Sequence, residues 1–201
     1  MILLAALPLL LAADFKVDTT RSTLSVAVYK KGAASGFLHD HAMVPSDWSG
    51  TVSVDPAKPE TLSVDLLFQA ATLHDTEAKL SAGDKAKVDT ETRTNVLEAD
   101  KFATIEFKAT SFTADAPGSL KGKLSGSLTL HGQTHALEVP VEASVVNGEL
   151  HAKGKVPLLQ TAFGIKPISK LLGTIQVMDS VDVIFDLVAA PVAAAAVTPA
   201  P

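Results

Sequence analysis

The chain has 201 residues, with 17 Lys and Arg against 22 Asp and Glu, a formal net charge of −5 and no cysteine. That length suits one domain with a sizeable core, and an acidic balance without a long basic run argues against nucleic acid, whose phosphates need clustered Lys and Arg. The missing cysteines exclude disulfides, thiolate catalysis and sulfur-ligated metals.

The first thirteen residues, MILLAALPLLLAA, are apolar throughout. A bilayer-spanning helix takes about 20 residues, so this run makes no integral membrane span. Its small residues Ala12 and Ala13 and its length read as a secretory signal peptide over 1–13, cleaved before Asp14, although no Lys or Arg precedes the apolar stretch. The alternative is a buried N-terminal strand.

From there the dominant period is two, the signature of half-buried strands. Leu24, Val26 and Val28 alternate with Thr23, Ser25 and Ala27, and Val52 and Val54 with Thr51 and Ser53. Leu62, Val64, Leu66 and Phe68 share a face, with Leu67 as an exception, and so do Ile105 and Phe107. In "LKGKLSGSLTLHGQTHALEVPVEASV" a glycine-first loop at Gly132 and Gln133 predicts a type II′ hairpin pairing Leu130 with His135, Leu128 with Leu137 and Lys123 with Glu142. Asn147-Gly148 predicts the next hairpin, leading to Leu150, Ala152, Gly154 and Val156. Near the end Val177, Val181, Val183 and Phe185 share a face, opposite Asp182 and Asp186.

One stretch lacks alternation. Asp84 to Asp100, "DKAKVDTETRTNVLEAD", predicts a helix with a narrow stripe of Ala86, Val96, Leu97 and Ala99. One-sided strands plus one short α-helix predict an all-β fold, a closed antiparallel β-barrel of about eight strands, because closure removes exposed edges. The barrel is expected over 14–188, followed by a flexible Ala/Pro-rich tail over 189–201.

Several stretches in order resemble the YceI-like family of lipocalin-like, polyisoprenoid-binding periplasmic barrels. They are "FKVDTTRSTLSVAV", "WSGTVSVDPAKPETLSVDLLFQAATL", "NVLEADKFATIEFKATSF", "GKLSGSLTLHGQTHALEVPV", "QTAFGIKP" and "VMDSVDVIFDLVA", covering about residues 15–188. Arg21 stands where the family often has a histidine, and the helical region is of a variant type. The resemblance implies a periplasmic or secreted barrel that holds an isoprenoid or other amphiphilic apolar chain, and the absence of catalytic motifs adds the expectation that it is not an enzyme. The apolar faces are compatible with that, Gly126 and Gly154 leaving space between them, and a prenyl chain needs no specific polar contact to be held by burial. Face assignment puts Leu66, Phe68, Ile105, Phe107, Leu128, Leu130, Leu137 and Val139 on the cavity wall, with Phe37 and Leu38 over its opening.

The stretch "GFLHDHAM" offers other chemistry. If it is extended, His39 and His41 share a side and Asp40 takes the other. His-x-His is a spacing used for zinc or copper, so a metal at His39 and His41 is the rival expectation, in a metal-binding or stress-response barrel. A metal would need a further ligand from His74, His135 or His151; without one the cluster is structural. His131, at the tight turn, reads as a structural hydrogen-bonding residue. No nucleophile elbow or His-Glu-x-x-His helix is present, which argues against hydrolytic catalysis.

Overall fold

A computed structural model describes residues 13–31, 40–54, 60, 62–170 and 174–192. Strands form where the sequence alternates: β1 (Ala13–Val17), β2 (Thr23–Lys31), β3 (His41–Pro45), β4 (Trp48–Val54), β5 (Ser63–Gln69), β6 (Leu73–Asp75), β7 (Thr104–Ala114), β8 (Lys121–Leu130), β9 (Gln133–Val146), β10 (Glu149–Leu159), β11 (Ser169–Lys170) and β12 (Ile175–Pro191). One helix, α1 (Ala82–Glu91), lies between β6 and β7.

Three pairs of these strands are single runs with a break. β1 and β2 lie along the same edge of β12 and part where Asp18 turns the chain, its carbonyl accepting the N–H groups of Arg21 and Ser22. β3 and β4 part at Ser46 and Asp47, and β5 and β6 at a short helical turn over Ala70–Thr72. Taken this way, eight antiparallel runs succeed one another round the ring in chain order. The ring closes where β12 returns to β1, with Val17 opposite Ala189 and Phe15 opposite Pro191. In such a meander every chain reversal lies at one of two ends. The turns after β7 and β9 mark one end, and α1 with the β8–β9 turn marks the other.

The β8–β9 hairpin turns one residue earlier than the glycine-first loop predicts. Its central residues are His131 (φ 52) and Gly132 (φ 72), both left-handed, which makes the turn type I′. Leu130 therefore faces Gln133, Leu128 faces His135 and Gly126 faces Leu137. The predicted pairing missed this because histidine, though more tolerant of the left-handed region than most residues, is not a usual first turn residue. The pairing slides by two positions, so the apolar faces are unchanged. The charge pairs do change: Glu142 lies opposite Lys121, with their charged groups 2.5 Å apart, and Lys123 reaches Glu138 at 3.3 Å.

The helix also differs from its predicted span. It starts at Ala82 behind Ser81, whose hydroxyl accepts the Asp84 N–H, and after Glu91 it widens into a π-helical turn over Thr92–Val96. None of the residues of α1 is buried, and Ala86 is exposed. The packing comes from Leu97 and Ala99, beyond the helix, which enter the core. A run so rich in Asp, Glu, Lys and Thr has no wide apolar stripe to bury.

At the C-terminus β12 continues to Pro191, three residues past the predicted end of the barrel at 188, because Ala189 to Pro191 pair with β1 and Ala189 is buried. The remaining residues of that tail, and residues 1–12 of the leader, lie outside the described residues. The face shared by Val181, Val183 and Phe185 forms as predicted, but a register shift separates it from Val177.

Candidate functional site

The inward faces of the ring do not fill it. A cavity of about 880 Å³ runs from the β7–β8 turn (Gly118, Ser119, Leu120) to the turn after α1 (Thr92, Val96, Leu97). Its wall is apolar apart from Glu60 and Ser119 at one end, Thr92 and Gln160 at the other, and a glycine. Leu66, Phe68, Ile105, Phe107, Leu128, Leu130, Leu137 and Val139, the eight residues placed on the wall by alternation, all line it, from the four adjacent strands β5, β7, β8 and β9. Phe37 and Leu38 lie outside the described residues.

The opposite half of the wall comes from β1, β2, β3, β10 and β12, including Phe15, Val26, Met43, Val156 and Val183. Alternation carried the signal for Val26, Val156 and Val183. Phe112 could not be read that way. A bulge between Ala109 and Ser111 reverses the parity of β7, so Ile105 and Phe107 point inward from odd positions and Phe112 from an even one. Val96 and Leu97 reach the cavity from the π-helical turn that follows α1, outside any strand alternation.

Gly126 and Gly154 do not leave space, contrary to expectation. A Cβ on Gly126 would lie 2.1 Å from the Lys108 carbonyl oxygen, and one on Gly154 would lie 2.5 Å from the Phe185 ring. The glycines let the backbone and the Phe185 ring approach closely, and the hollow lies elsewhere on the wall.

Of the "HDH" stretch, His39 lies outside the described residues. Asp40 is exposed and accepts the Lys30 N–H at 2.9 Å. His41 is half-buried and donates from Nδ1 to Asp75 Oδ2 at 2.6 Å. Asp75 is the sole buried charged residue among those described, with no side-chain exposure. Its other oxygen accepts the Glu77 N–H at 2.9 Å, and its own N–H donates to Asp89 of α1 at 2.7 Å. Sequence reading noted Asp75 as the neighbour of His74 but missed it as the partner of His41. The two meet because β3 pairs with β6, placing Met43 opposite Asp75. His74 sits on the other face and its Nδ1 lies 3.3 Å from the Thr72 carbonyl. His135 packs edge-on against Phe163, with centroids 5.0 Å apart, and His151 lies opposite Ser144 and Val188. Among the described residues, no group of three or more His, Asp and Glu is placed to hold a metal.

His131 joins three elements. Its Nδ1 lies 3.2 Å from the Phe163 carbonyl, its Nε2 lies 3.0 Å from Glu98, and its ring packs on Phe102 at 4.4 Å. Both polar partners are acceptors. Glu98 is held below the usual carboxylate range, first by Lys101 and then by His131. On the outer wall, Arg21 bridges Asp18 at 2.7 Å and Glu149 at 2.6 Å. Hydrogen bonds from Thr20 and Arg21 bring the Asp18 carboxyl down to about 2.

No helix among the described residues is long and apolar enough to cross a membrane. The family model described as the YceI-like domain matches residues 15–189. A UPF0312 protein of Pseudomonas fluorescens (strain SBW25) is 29% identical over 124 residues, which is 62% of this chain and 58% of that relative's length. Another, from Pseudomonas syringae pv. tomato, is 25% identical over 147 residues, 73% of this chain and 67% of its own. Among solved structures, BcnA of Burkholderia cenocepacia superposes with a TM-score of 0.66 at 24% identity, covering 86% of this chain and 98% of its own. A polyisoprenoid binding domain from Saccharophagus degradans gives 0.59 at 14%, covering 89% and 98%. At such identities these structures establish a shared barrel fold.

Proposed function

Because the chain belongs to the YceI-like domain family and its barrel is hollow, we propose that it is a periplasmic lipid-binding protein that carries an isoprenoid or other amphiphilic apolar chain, without catalysing a reaction on it. The observation that carries this reading is the cavity. At about 880 Å³ it falls within the roughly 300–1,000 Å³ of ligand sites. Its polar side chains stand at its two ends, with only apolar ones between them.

That distribution selects for an amphiphile. A chain in the middle of the barrel meets no polar group left without a partner, and its head finds hydrogen-bonding groups only at a mouth. Transfer of each Å² of apolar ligand surface from water contributes about 25 cal/mol, so roughly 400 Å² gives about 10 kcal/mol before the costs of ordering are subtracted. No charged contact is required. The polyisoprenoid named for the Saccharophagus degradans domain is one ligand of this shape. Export is supported by the apolar run of residues 1–13 and by a chain with no cysteine to misoxidise.

Native mass spectrometry of the protein purified from the envelope of a bacterial host tests the reading. We expect a bound amphiphile that gentle activation releases. A clean apo mass under conditions that preserve a known lipid carrier would sink it.

A further inference from the structure

The cavity reaches the end of the barrel that holds the β7–β8 and β9–β10 turns, where exposed apolar side chains stand on the rim beside Glu60 and Ser119. Leu120, Val145, Val146 and Val192 are 42%, 57%, 48% and 53% exposed, four of the eight large hydrophobic residues exposed among those described. They belong to one end: Leu120 accepts the Ala143 N–H, Val145 lies opposite Leu150 at the start of β10, and Val192 donates to Asp14 at the start of β1. Leu120 and Val145 also line the cavity. Among the described residues, the apolar wall therefore reaches the outer surface through Leu120 and Val145, with Glu60 and Ser119 as the polar groups of that mouth.

Two arguments point to what covers this rim. First, exposed apolar side chains that are continuous with a lipid-sized cavity complete a water-free path only when the rim rests on another apolar phase. Second, residues 1–12, MILLAALPLLLA, join the barrel at Ala13, which pairs with Val54 at this same end. In the chain that still carries this leader, an apolar run of sequence is thus joined directly to the rim. The outer wall differs in kind. Lys155 with Asp182 lies along it, while Lys121 with Glu142 and Arg21 with Glu149 stand just beside Leu120 and Val146, where the charges mark the depth at which water begins.

We propose that this rim is a bilayer-docking surface: Leu120, Val145, Val146 and Val192 insert among lipid headgroups, and the amphiphile passes between membrane and cavity through that mouth. The inference rests on the lipid-carrier reading above. It adds which end faces the membrane and which residues touch it. Insertion is shallow, since the turns expose only a few side chains, and interfacial binding of this kind scales with the apolar area buried.

The absence of cysteine allows a single reporter thiol to be placed anywhere. In the full chain, Val146→Cys carries an environment-sensitive nitrobenzoxadiazole label at the rim. Leu159→Cys carries it at the opposite end of β10, where the native side chain is 53% exposed. With vesicles of phosphatidylethanolamine and phosphatidylglycerol, the rim label should brighten and shift to the blue while the label at 159 stays unchanged. Adding Val145→Glu to the rim reporter should raise the lipid concentration for half-response by roughly tenfold, the loss of one buried valine.

No response at position 146, or an equal response at 159, overturns the proposal. So does a response at 146 that grows with protein concentration in buffer alone, which would mean that a second copy covers the rim. Native mass spectrometry on the same samples separates the two readings. A silent rim on a lipid-filled barrel removes the docking surface alone, whereas a responding rim on a barrel that never takes up lipid keeps it and removes the carrier function.

Discussion

Replacing Asp75 by alanine tests whether the histidine stretch is structural. The carboxylate is inaccessible to solvent and accepts two hydrogen bonds, from His41 Nδ1 at 2.6 Å and from the Glu77 N–H at 2.9 Å. Hydrogen bonds to a charged group contribute about 1.5–3 kcal/mol each, and a buried donor left without a partner costs about 1–3 kcal/mol. The two partners together put Asp75→Ala at roughly 3–5 kcal/mol, the range found when one member of a buried pair is removed. Against a total stability of about 5–15 kcal/mol this is a large fraction. Equilibrium unfolding in urea, with the slope checked for constancy, measures it. The informative comparison is His41→Leu with Asp75→Leu together. Removing both polar partners leaves the imidazole donor out of the problem, so the double variant should be less destabilised than Asp75→Ala alone. A cost below about 1 kcal/mol for Asp75→Ala, or a double variant worse than the single, would refute the argument.

Three further outcomes are expected. Gly126→Val places a Cβ 2.1 Å from the Lys108 carbonyl, which is backbone and cannot rotate away; a loss of roughly 3 kcal/mol in a denaturant titration is expected. The Arg21 bridge sets an acid dependence. Asp18, brought to about 2, and Glu149, lowered by Arg21, contribute stability that is present above their unfolded values near 4 and is lost as pH falls through the folded values. The difference in urea midpoint between wild type and Arg21→Gln should therefore shrink between pH 5 and about 2, and a difference that does not change over that interval would contradict the assignment. Leu66→Trp with Leu137→Trp directs two indoles into the cavity; near-wild-type thermal stability with less bound amphiphile in native mass spectra is expected, and undiminished occupancy would show that the chain lies elsewhere.

Much of the fold was legible because it depends on a local property. Alternation along a strand decides which residues share a face, and it placed Leu66, Phe68, Leu128 and Val139 on one wall before any pairing was known. The hairpin shows the limit of that reading. Leu128 and Leu137 keep their faces although neither has the predicted partner, because a slide of two residues preserves parity while changing which charges meet. Where parity itself shifts, at the bulge after Ala109, local reading fails and Phe112 is missed. The same locality explains Asp75. It stands 34 residues from His41, and no spacing within the stretch "GFLHDHAM" signals a partner that only the β3–β6 pairing delivers.

By itself, then, the sequence determined an antiparallel barrel of about eight runs, its inward faces and the hairpin at Asn147-Gly148, all consequences of period two and of turn chemistry. Tertiary structure alone decided that the barrel is hollow. Interior volume follows from how many runs close the ring and how far their side chains reach across it, and no window of sequence contains either quantity. It also decided that the apolar wall continues out to Leu120 and Val145, because residues from separate hairpins form a mouth only once the ring has closed.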